Sequence, residues 1–455
     1  MFEVRDEETI IAQCTPSGSG AIALLRVSGE NALEIAQKFA VLPHKKFFRD
    51  LPSHTIHYGQ IIDESNHTID HVLFLLMRAP QTFTGQNTIE ITCHNNPFII
   101  AAIINQAIKH GARIAQRGEF TKRAFLNKKI DITQAEAINE LIHAHTEQAL
   151  KKSLTQLEGS FSHWINKIEE KLLHALSLCE ASFEFVEEDV NFDQQIKLSI
   201  HAVIQDIVHI EKEYDHQQQI KEGIRIALIG SVNAGKSALF NKLIKTERAI
   251  VTEIAGTTRD VIEAGIYRNQ SYITFVDTAG LRETEEKIEQ EGIKRSFKEA
   301  EKADIILLII DSSQKLSQLE ENLYNSLIKQ YQPKVIPIAS KIDLSQQNNF
   351  IPDALKVSAL TNQGIDTLEQ KIKEKMNALL NNYTAPYLLN QRQFKLLEQL
   401  KKPLKHIAKM THETIEHELL SIHLRDALEL LTELSGKSLS DRSIDDIFKN
   451  FCVGK

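Results

Sequence analysis

The chain is short of the features that mark secreted, metal-clustered or membrane-spanning proteins. Its four cysteines, Cys14, Cys93, Cys179 and Cys452, are scattered and include no CxxC pair. That spacing argues against a disulfide framework or a cysteine-rich zinc site and fits reduced thiols in a cytosolic setting. The acidic opening stretch lacks the apolar core of a signal segment. The apolar run Ile305 to Ile310 is far too short to span a bilayer and reads as a buried strand. A cytoplasmic protein with no membrane association is expected. Positive charge is also scarce: 53 Lys and Arg face 61 Asp and Glu, leaving a net charge of −8 and a pI near 6.2. No dense basic run stands out, so any RNA contact has to come from local patches.

What is present fits a multidomain globular protein. The hydrophobic fraction is 42% and the charged fraction 25% over 455 residues, a length that suggests about three domains. Residues 1–120 mix short apolar runs such as Ala21 to Val27 and Val72 to Met77 with turn signals, which predicts a compact α+β domain. From about residue 130, Leu150, Leu154, Leu157, Phe161, Ile165, Ile168, Leu172, Leu176 and Cys179 recur every three or four residues. This pattern predicts one apolar stripe on a long helix. A second helical block follows from about 385, with Leu420, Leu424, Ala427, Leu428, Leu431 and Leu434 on one face and Gly436 as a stop. His143 and His145 fall on a predicted helix two residues apart, so they cannot share a face. Between the blocks, strand-like runs at Ile224–Ile229, Tyr272–Val276, Ile305–Ile310 and Val335–Ile338 alternate with helical ones, the signature of a mainly parallel sheet. The helical blocks are expected to pack together, with the α/β domain inserted between them.

That inserted region carries five short motifs in order. Gly230-Ser-Val-Asn-Ala-Gly235-Lys236-Ser237 fits GxxxxGK[ST] between a predicted strand and helix, where backbone N–H groups can close around phosphate oxygens. Lys236 would reach the β- and γ-phosphates, and the Ser237 hydroxyl would bind Mg²⁺. Asp277-Thr278-Ala279-Gly280 follows a strand, so the carboxylate can hold the metal through water and the Gly280 N–H can meet the γ-phosphate. Gly256-Thr257-Thr258-Arg259-Asp260 lies where a switch loop should. In Ser340-Lys341-Ile342-Asp343, the carboxylate is placed to accept from guanine N1–H and N2–H₂, donors that adenine lacks. Ser358-Ala359-Leu360 would supply a backbone donor to guanine O6. Together these motifs predict GTP binding and hydrolysis.

Longer stretches extend the pattern to both ends. Thr15-Pro-Ser-Gly-Ser-Gly20, Arg26-Val-Ser-Gly29, Thr82-Phe-Thr-Gly85, Arg117 to Asn127, Asp131 to Ala137, Asp277 to Arg282 and the terminal Phe451-Cys-Val-Gly-Lys455 resemble the MnmE (TrmE) family of tRNA modification GTPases. The resemblance implies an N-terminal α+β folate-binding and dimerisation domain (1–120), an all-α helical domain in two parts (121–217 and 381–455), and an inserted Ras-like α/β G domain of the P-loop NTPase class (218–380). It implies a homodimer that joins an MnmG-like flavoprotein in a heterotetramer and modifies the wobble uridine of tRNA with a one-carbon unit from a 5-formyltetrahydrofolate-type folate. GTP hydrolysis would be activated by K⁺.

Site roles carry over by resemblance as well. Asn233 would be a K⁺ ligand, with Thr252, Ile254 and Thr257 adding oxygens, and Ser237 and Thr258 would hold Mg²⁺. Ala234, Ala238, Glu253 and Ala255 complete the nucleotide-binding set. Glu289 would orient the attacking water, with Lys236 and Asn233 as its catalytic companions. Folate would contact Arg26, Glu90, Lys129 and Lys455. Three departures bear on these expectations: Ser340 where Asn is usual, Gln86-Asn87 where an acidic pair is usual, and His94-Asn-Asn96 where His-Gly-Gly is usual. The alternative function is a GTP-dependent ribosome assembly factor, a binding switch that would lack the N-terminal domain and Cys-Val-Gly-Lys tail. A third reading, a scaffold with a degenerate GTP site, is opposed by the intact Gly235-Lys236-Ser237 and Asp277.

Overall fold

The structure, a computed structural model, describes residues 8–184, 192–211, 214, 217–245, 262–268, 271–277, 296–345, 350–381, 386–410 and 417–454. It divides into two compact units. One comprises Met1–Asn139, Thr155–Ile204 and Lys395–Lys455, and the other Glu140–Leu154 and Gln205–Phe394.

The first unit opens with a seven-stranded sheet of β1 (Ile10–Gln13), β2 (Ile22–Ser28), β3 (Ala40–Val41), β4 (Thr55–Ile62), β5 (Thr68–Met77), β6 (Thr88–His94) and β7 (Arg113–Ile114), ordered β3-β4-β5-β6-β2-β1-β7. Only the β1–β7 pairing is parallel. Strict alternation along β5 buries Asp70, Val72, Phe74 and Leu76, as expected of a sheet with one packed face. That face carries a core that includes Leu25, Phe39, Phe48, Phe74 and Ile91. It is covered by α1 (Ala32–Gln37) and α2 (Pro97–Lys109). On the other face Ile22, Ile56, Tyr58 and Leu73 remain exposed.

Helices α3 (Glu119–Leu126), α4 (Ile132–Ile142), α5 (Glu147–Leu157), α6 (Ser160–Glu184) and α7 (Asp193–Glu211) follow, of which the end of α4, most of α5 and the end of α7 belong to the second unit. The Asp131-Ile-Thr-Gln134 stretch is a capping box. Asp131 Oδ1 accepts from the Gln134 N–H at 2.9 Å, and Gln134 Oε1 accepts from the Asp131 N–H at 3.0 Å. The single long helix expected over 150–179 is instead two, because Gly159 takes φ +94 and turns the chain between α5 and α6. The stripe splits accordingly: Phe161, Ile165, Ile168, Leu172 and Cys179 are buried, while Leu150 and Leu154 are exposed. The histidines also differ from expectation. α4 ends at Ile142, so His143 and His145 lie in the following turn, where the His145 ring stacks 4.9 Å from Tyr272.

The second unit holds α8 (Gln217–Glu222), β8 (Ile224–Ile229), α9 (Lys236–Lys245), β9 (Ile262–Arg268), β10 (Ser271–Asp277), β11 (Ile305–Asp311), α10 (Gln318–Tyr331), β12 (Val335–Ser340), β13 (Leu355–Lys356) and α11 (Ile365–Asn381). The sheet order is β13-β12-β11-β8-β10-β9, parallel throughout except for β9 against β10. Every residue of β11 is buried because both faces are covered. Leu239, Leu243, Leu368 and Ile372 pack on one side. Tyr324, Leu327 and Ala300 pack on the other.

The chain then returns to the first unit through α12 (Gln391–Met410), α13 (His417–Ser435) and α14 (Asp441–Phe448). α13 buries Leu420, Leu424, Ala427, Leu431 and Leu434 and stops at Gly436, whose φ is +85. It lies against α6, with Cys179 Sγ 3.1 Å from the His417 carbonyl and Arg425 2.8 Å from Glu180. The two helical blocks therefore pack together, as the unpartnered stripes required. The C-terminal stretch closes on the N-terminal part of the same unit: the Gly118 N–H donates to the Cys452 carbonyl at 3.2 Å. A Cβ on Gly454 would come within 2.4 Å of the Gln13 carbonyl.

Candidate nucleotide site

In the second unit the described candidate residues gather just past the C-terminal ends of parallel strands, where open α/β sheets hold ligands. Gly230 to Ser237 follows β8, Asp277 ends β10, Ser340 ends β12 with Lys341 to Asp343 after it, and Ser358 to Leu360 follows β13. Gly230 is obligatory, since a Cβ there would lie 2.3 Å from the Ile309 carbonyl. Asn233 at φ +63 and Gly235 at φ +92 curl the loop, and α9 starts at Lys236. The positive end of its dipole and its free N–H groups, from Lys236 through Ala238, make an anion cradle.

Lys236 is strapped back over this loop. Its Nζ donates to the Gly230 carbonyl at 2.8 Å and to the Ser231 carbonyl at 2.6 Å, with the side chain almost fully buried. Burial pushes the ammonium pKa down, while the Asp277 carboxylate pulls it back up. Ser237 Oγ donates to Asp277 Oδ2 at 2.7 Å, and Asp277 is buried at the end of β10. A hydroxyl and a carboxylate held together beside an anion cradle are the hard oxygen donors that suit Mg²⁺. Asn233 is exposed in the same loop, and an amide oxygen is a donor compatible with a monovalent cation.

A second layer was not legible in the motif. The Tyr324 hydroxyl, fully buried on α10, accepts from the Ser231 N–H at 2.9 Å. One turn earlier on α10, Glu320 closes a capping box with Ser317. Burial pushes the Glu320 carboxyl up, but hydrogen bonds from Ser317 and from the Ser231 side chain outweigh it and hold the group below its usual range. The one sequence signal available was Ser317-x-x-Glu320, which marks the helix start and so places Tyr324 one turn further along.

At the base end, Ser358 Oγ donates to Asp343 Oδ1 at 2.5 Å and is itself fully buried. Among the described residues Asp343 Oδ2 accepts no hydrogen bond, so one carboxylate oxygen is anchored and the other is available to a donor edge. Lys341, at φ +57, pairs with Asp311 at 2.7 Å. Ile342 forms the intervening turn, and Ala359 and Leu360 follow Ser358 with Leu360 exposed. The Ser340 Oγ lies 2.6 Å from the Ala234 carbonyl and 3.1 Å from that of Ile310. Its single hydrogen ties the phosphate loop to the base-side strand, so none is left for the purine. Thr252, Glu253, Ile254, Ala255, Gly256, Thr257, Thr258, Thr278, Ala279, Gly280, Glu289 and Lys455 lie outside the described residues.

The candidate folate residues sit in the first unit. Arg26 on β2 and Glu90 on β6 are direct cross-strand partners and form an ion pair at 2.7 Å. The guanidinium carbon lies 5.7 Å from the Phe83 ring and 5.4 Å from that of Phe120, so the charge is framed by two aromatic faces. Lys129 Nζ donates to the Pro80 carbonyl at 2.8 Å, at the root of the loop that carries Phe83. A planar cation, a carboxylate and aromatic faces suit a flat heterocycle with polar edges. The departures nearby are locally self-consistent. Gln86 Oε1 accepts from Arg123 at 3.0 Å, while the charge of Arg123 is met by Glu119 at 2.8 Å. Asn96 has φ −120 and caps α2 by accepting from the Phe98 N–H at 2.9 Å, so no glycine is needed there.

The fold and this arrangement of phosphate loop, carboxylate and base-reading strand define a GTP hydrolase of the P-loop class. Two family models match: "GTP-binding protein TrmE N-terminus" over residues 9–129 and "MnmE helical domain" over 132–452. The tRNA modification GTPase MnmE of Aquifex aeolicus is 37% identical over 455 residues, covering 98% of this chain and 100% of that protein. That of Chlorobium chlorochromatii is 36% identical over 469 residues, covering 99% and 98%. Among solved structures, the alignment with Aquifex aeolicus Era bound to GDP and aluminium fluoride covers 40% of this chain and 66% of that one at 25% identity, with a TM-score of 0.27. The chain belongs to the MnmE family. Among the described residues no helix is long and apolar enough to cross a membrane.

Proposed function

We propose that this chain is the potassium-activated GTPase of a tRNA wobble-uridine modification system, acting in the cytoplasm as a homodimer with an MnmG-like flavoprotein in a heterotetramer. The observation that carries the reading is agreement with MnmE relatives along nearly the whole chain. The residues above fit the roles that reading assigns. In hydrolysis, water attacks the γ-phosphorus, the bond to the β–γ bridging oxygen breaks, and GDP and phosphate leave. The N–H groups from Ala234 to Ala238 and the Lys236 ammonium hold the phosphates where negative charge develops. Ser237 and Thr258 would hold Mg²⁺, and Asn233, Thr252, Ile254 and Thr257 would hold K⁺. When bound, these ions would supply positive charge that offsets the charge developing on the phosphates. Glu289 would align the water, and Asp343 with Ser358-Ala359-Leu360 would select guanine.

The same reading makes residues 1–120 the folate and dimerisation domain and 218–380 the G domain, with 121–217 and 381–455 helical. Arg26, Glu90, Lys129 and Lys455 would take a 5-formyltetrahydrofolate-type folate. Dimerisation is supported by the exposed sheet face carrying Ile22, Ile56, Tyr58 and Leu73, which continues the Arg26–Glu90 face. The test is nucleoside analysis of tRNA from cells lacking the chain. The C5 aminomethyl-type group on the wobble uridine should disappear and return with the parent chain but not with Lys236→Ala. An unchanged wobble nucleoside together with accumulated ribosomal precursors would favour the ribosome assembly factor instead. Turnover should be faster in K⁺ than in Na⁺ at matched ionic strength, and equal rates would remove the potassium assignment.

A further inference from the structure

The net charge of −8 hides one strongly cationic element. α12 carries Arg392, Lys395, Lys401, Lys402, Lys405 and Lys409 against the single acid Glu398. The inner side of the helix is apolar, with Leu396, Leu397, Leu400, Leu404 and Ile407 buried. Lys395, Lys402, Lys405 and Lys409 are exposed. Among the described residues none of these four meets a carboxylate, and Glu398 pairs with none of them. Lys395, Lys402 and Lys409 recur every seven residues, and Lys405 falls between the last two. At about 1.5 Å per residue the stripe runs for roughly 21 Å along one face, enough to lie beside several successive phosphates of a nucleic-acid strand.

Like charges three and four apart on a helix repel by a few tenths of a kcal/mol. Acidic residues elsewhere on this chain offset such charges, as Glu147 does for Lys151. No described carboxylate does so for these four. Four exposed lysines that pair with no described carboxylate, set against the one acid Glu398, favour a polyanion at that face, while the acidic remainder of the chain disfavours it elsewhere.

We infer that the outer face of α12 is a docking surface for the phosphate backbone of tRNA. The inference rests on the tRNA-modification reading and adds to it the place where the substrate lies. Flexible ammonium groups hold phosphate and position the strand; they do not read bases.

The test uses the full chain and an unmodified tRNA transcript carrying a wobble uridine, with affinity measured across a KCl series. Lys395→Gln, Lys402→Gln, Lys405→Gln and Lys409→Gln combined should weaken binding at least ~10-fold at moderate salt. The slope of log K against log salt should become shallower by about 3, as expected for four lost phosphate contacts. GTP turnover without tRNA and the urea midpoint should stay at parent values, because no residue of the nucleotide site is touched. The four matching Lys→Arg changes should retain binding. Unchanged affinity and slope in the Gln variant would overturn the inference. So would loss of binding to phosphatidylserine vesicles with tRNA binding intact, which would make the face a lipid surface. Failure of the underlying reading shows separately, as unaltered wobble nucleosides in cells lacking the chain altogether.

Discussion

In the nucleotide sheet the reactive groups sit past the strand ends, whereas in the N-terminal sheet Arg26 and Glu90 stand on the face, paired across neighbouring strands. The difference follows from how each sheet is covered. A parallel sheet packed on both faces has no free face, so its chemistry is confined to the loops at its edge, and each loop is a contiguous stretch of sequence. An antiparallel sheet with one open face can present side chains from strands far apart in the chain, here 64 residues for Arg26 and Glu90. The first kind of site depends on backbone shape, the second on a rigid platform. The expected effects of substitution differ accordingly.

The largest effect should come from the platform. Glu119 is buried and accepts from Arg113 at 2.6 Å, from Arg123 at 2.8 Å and from the Gln116 N–H at 2.8 Å. Burial pushes its carboxyl up, but these partners outweigh burial and hold it below the usual carboxylate value. Glu119→Gln removes the carboxylate that meets the buried Arg123 guanidinium at 2.8 Å, a loss of about 3–5 kcal/mol. Urea unfolding at pH 7 should show it. The sign with pH follows from the lowered carboxyl. Its stabilisation is complete above the ordinary glutamate value of about 4.3 and fades as pH falls through the lower folded value. The gap between parent and variant should therefore narrow in acid. A variant as stable as the parent at pH 7 would mean that the platform does not depend on this cluster.

The same contrast explains which parts of the fold are legible in the sequence. The phosphate loop, Asp277, and the Ser340–Asp343 and Ser358–Leu360 stretches were legible because each is contiguous, and its chemistry follows from residue order. Four strands of the mainly parallel sheet, β8, β10, β11 and β12, were legible as mostly apolar runs, whereas β9 and the two-residue β13 were not. Legibility failed where periodicity continued through a break: the three-to-four spacing from Leu150 to Cys179 persists across Gly159, whose φ of +94 ends α5. The α12 charge is not legible in the sequence for a related reason. Only Lys401 and Lys402 are adjacent, and the stripe exists only once the chain is wound at 3.6 residues per turn. The Tyr324–Ser231 bond joins residues 93 apart through a hydroxyl that no motif specifies.

An intermediate effect is expected at the base end. Asp343→Asn keeps the Ser358 anchor, since the amide oxygen can accept the same hydroxyl. The amide nitrogen then replaces the free carboxylate oxygen and presents donors to the donor edge of guanine. GTP should lose about 1–3 kcal/mol of affinity, roughly 10- to 100-fold, while xanthosine triphosphate, with a carbonyl at that edge, should gain. Competition binding with the two nucleotides measures the exchange. Unchanged GTP affinity would separate Asp343 from base recognition and leave the strand-end site without its specificity element.

The smallest effect, and the sharpest probe of the strand-end site, is Tyr324→Phe. The hydroxyl accepts from the Ser231 N–H inside a fully buried environment, and the ring packs with the α10-side core. Phenylalanine preserves that packing and deletes one acceptor, so the Ser231 N–H is left with a lost hydrogen bond worth about 1 kcal/mol. Ser231 also accepts Lys236 on its carbonyl, so loosening it displaces the ammonium that faces the phosphates. A rigid cradle that has to be re-formed on binding weakens nucleotide affinity by the cost of that ordering. GTP and GDP should both bind about 5-fold more weakly, with the turnover of the bound complex close to that of the parent. A purely structural tyrosine would lower the urea midpoint and leave affinity untouched. A loss confined to turnover would place the hydroxyl in transition-state alignment instead. Equal affinity, stability and turnover would mean that the phosphate loop keeps its shape unaided.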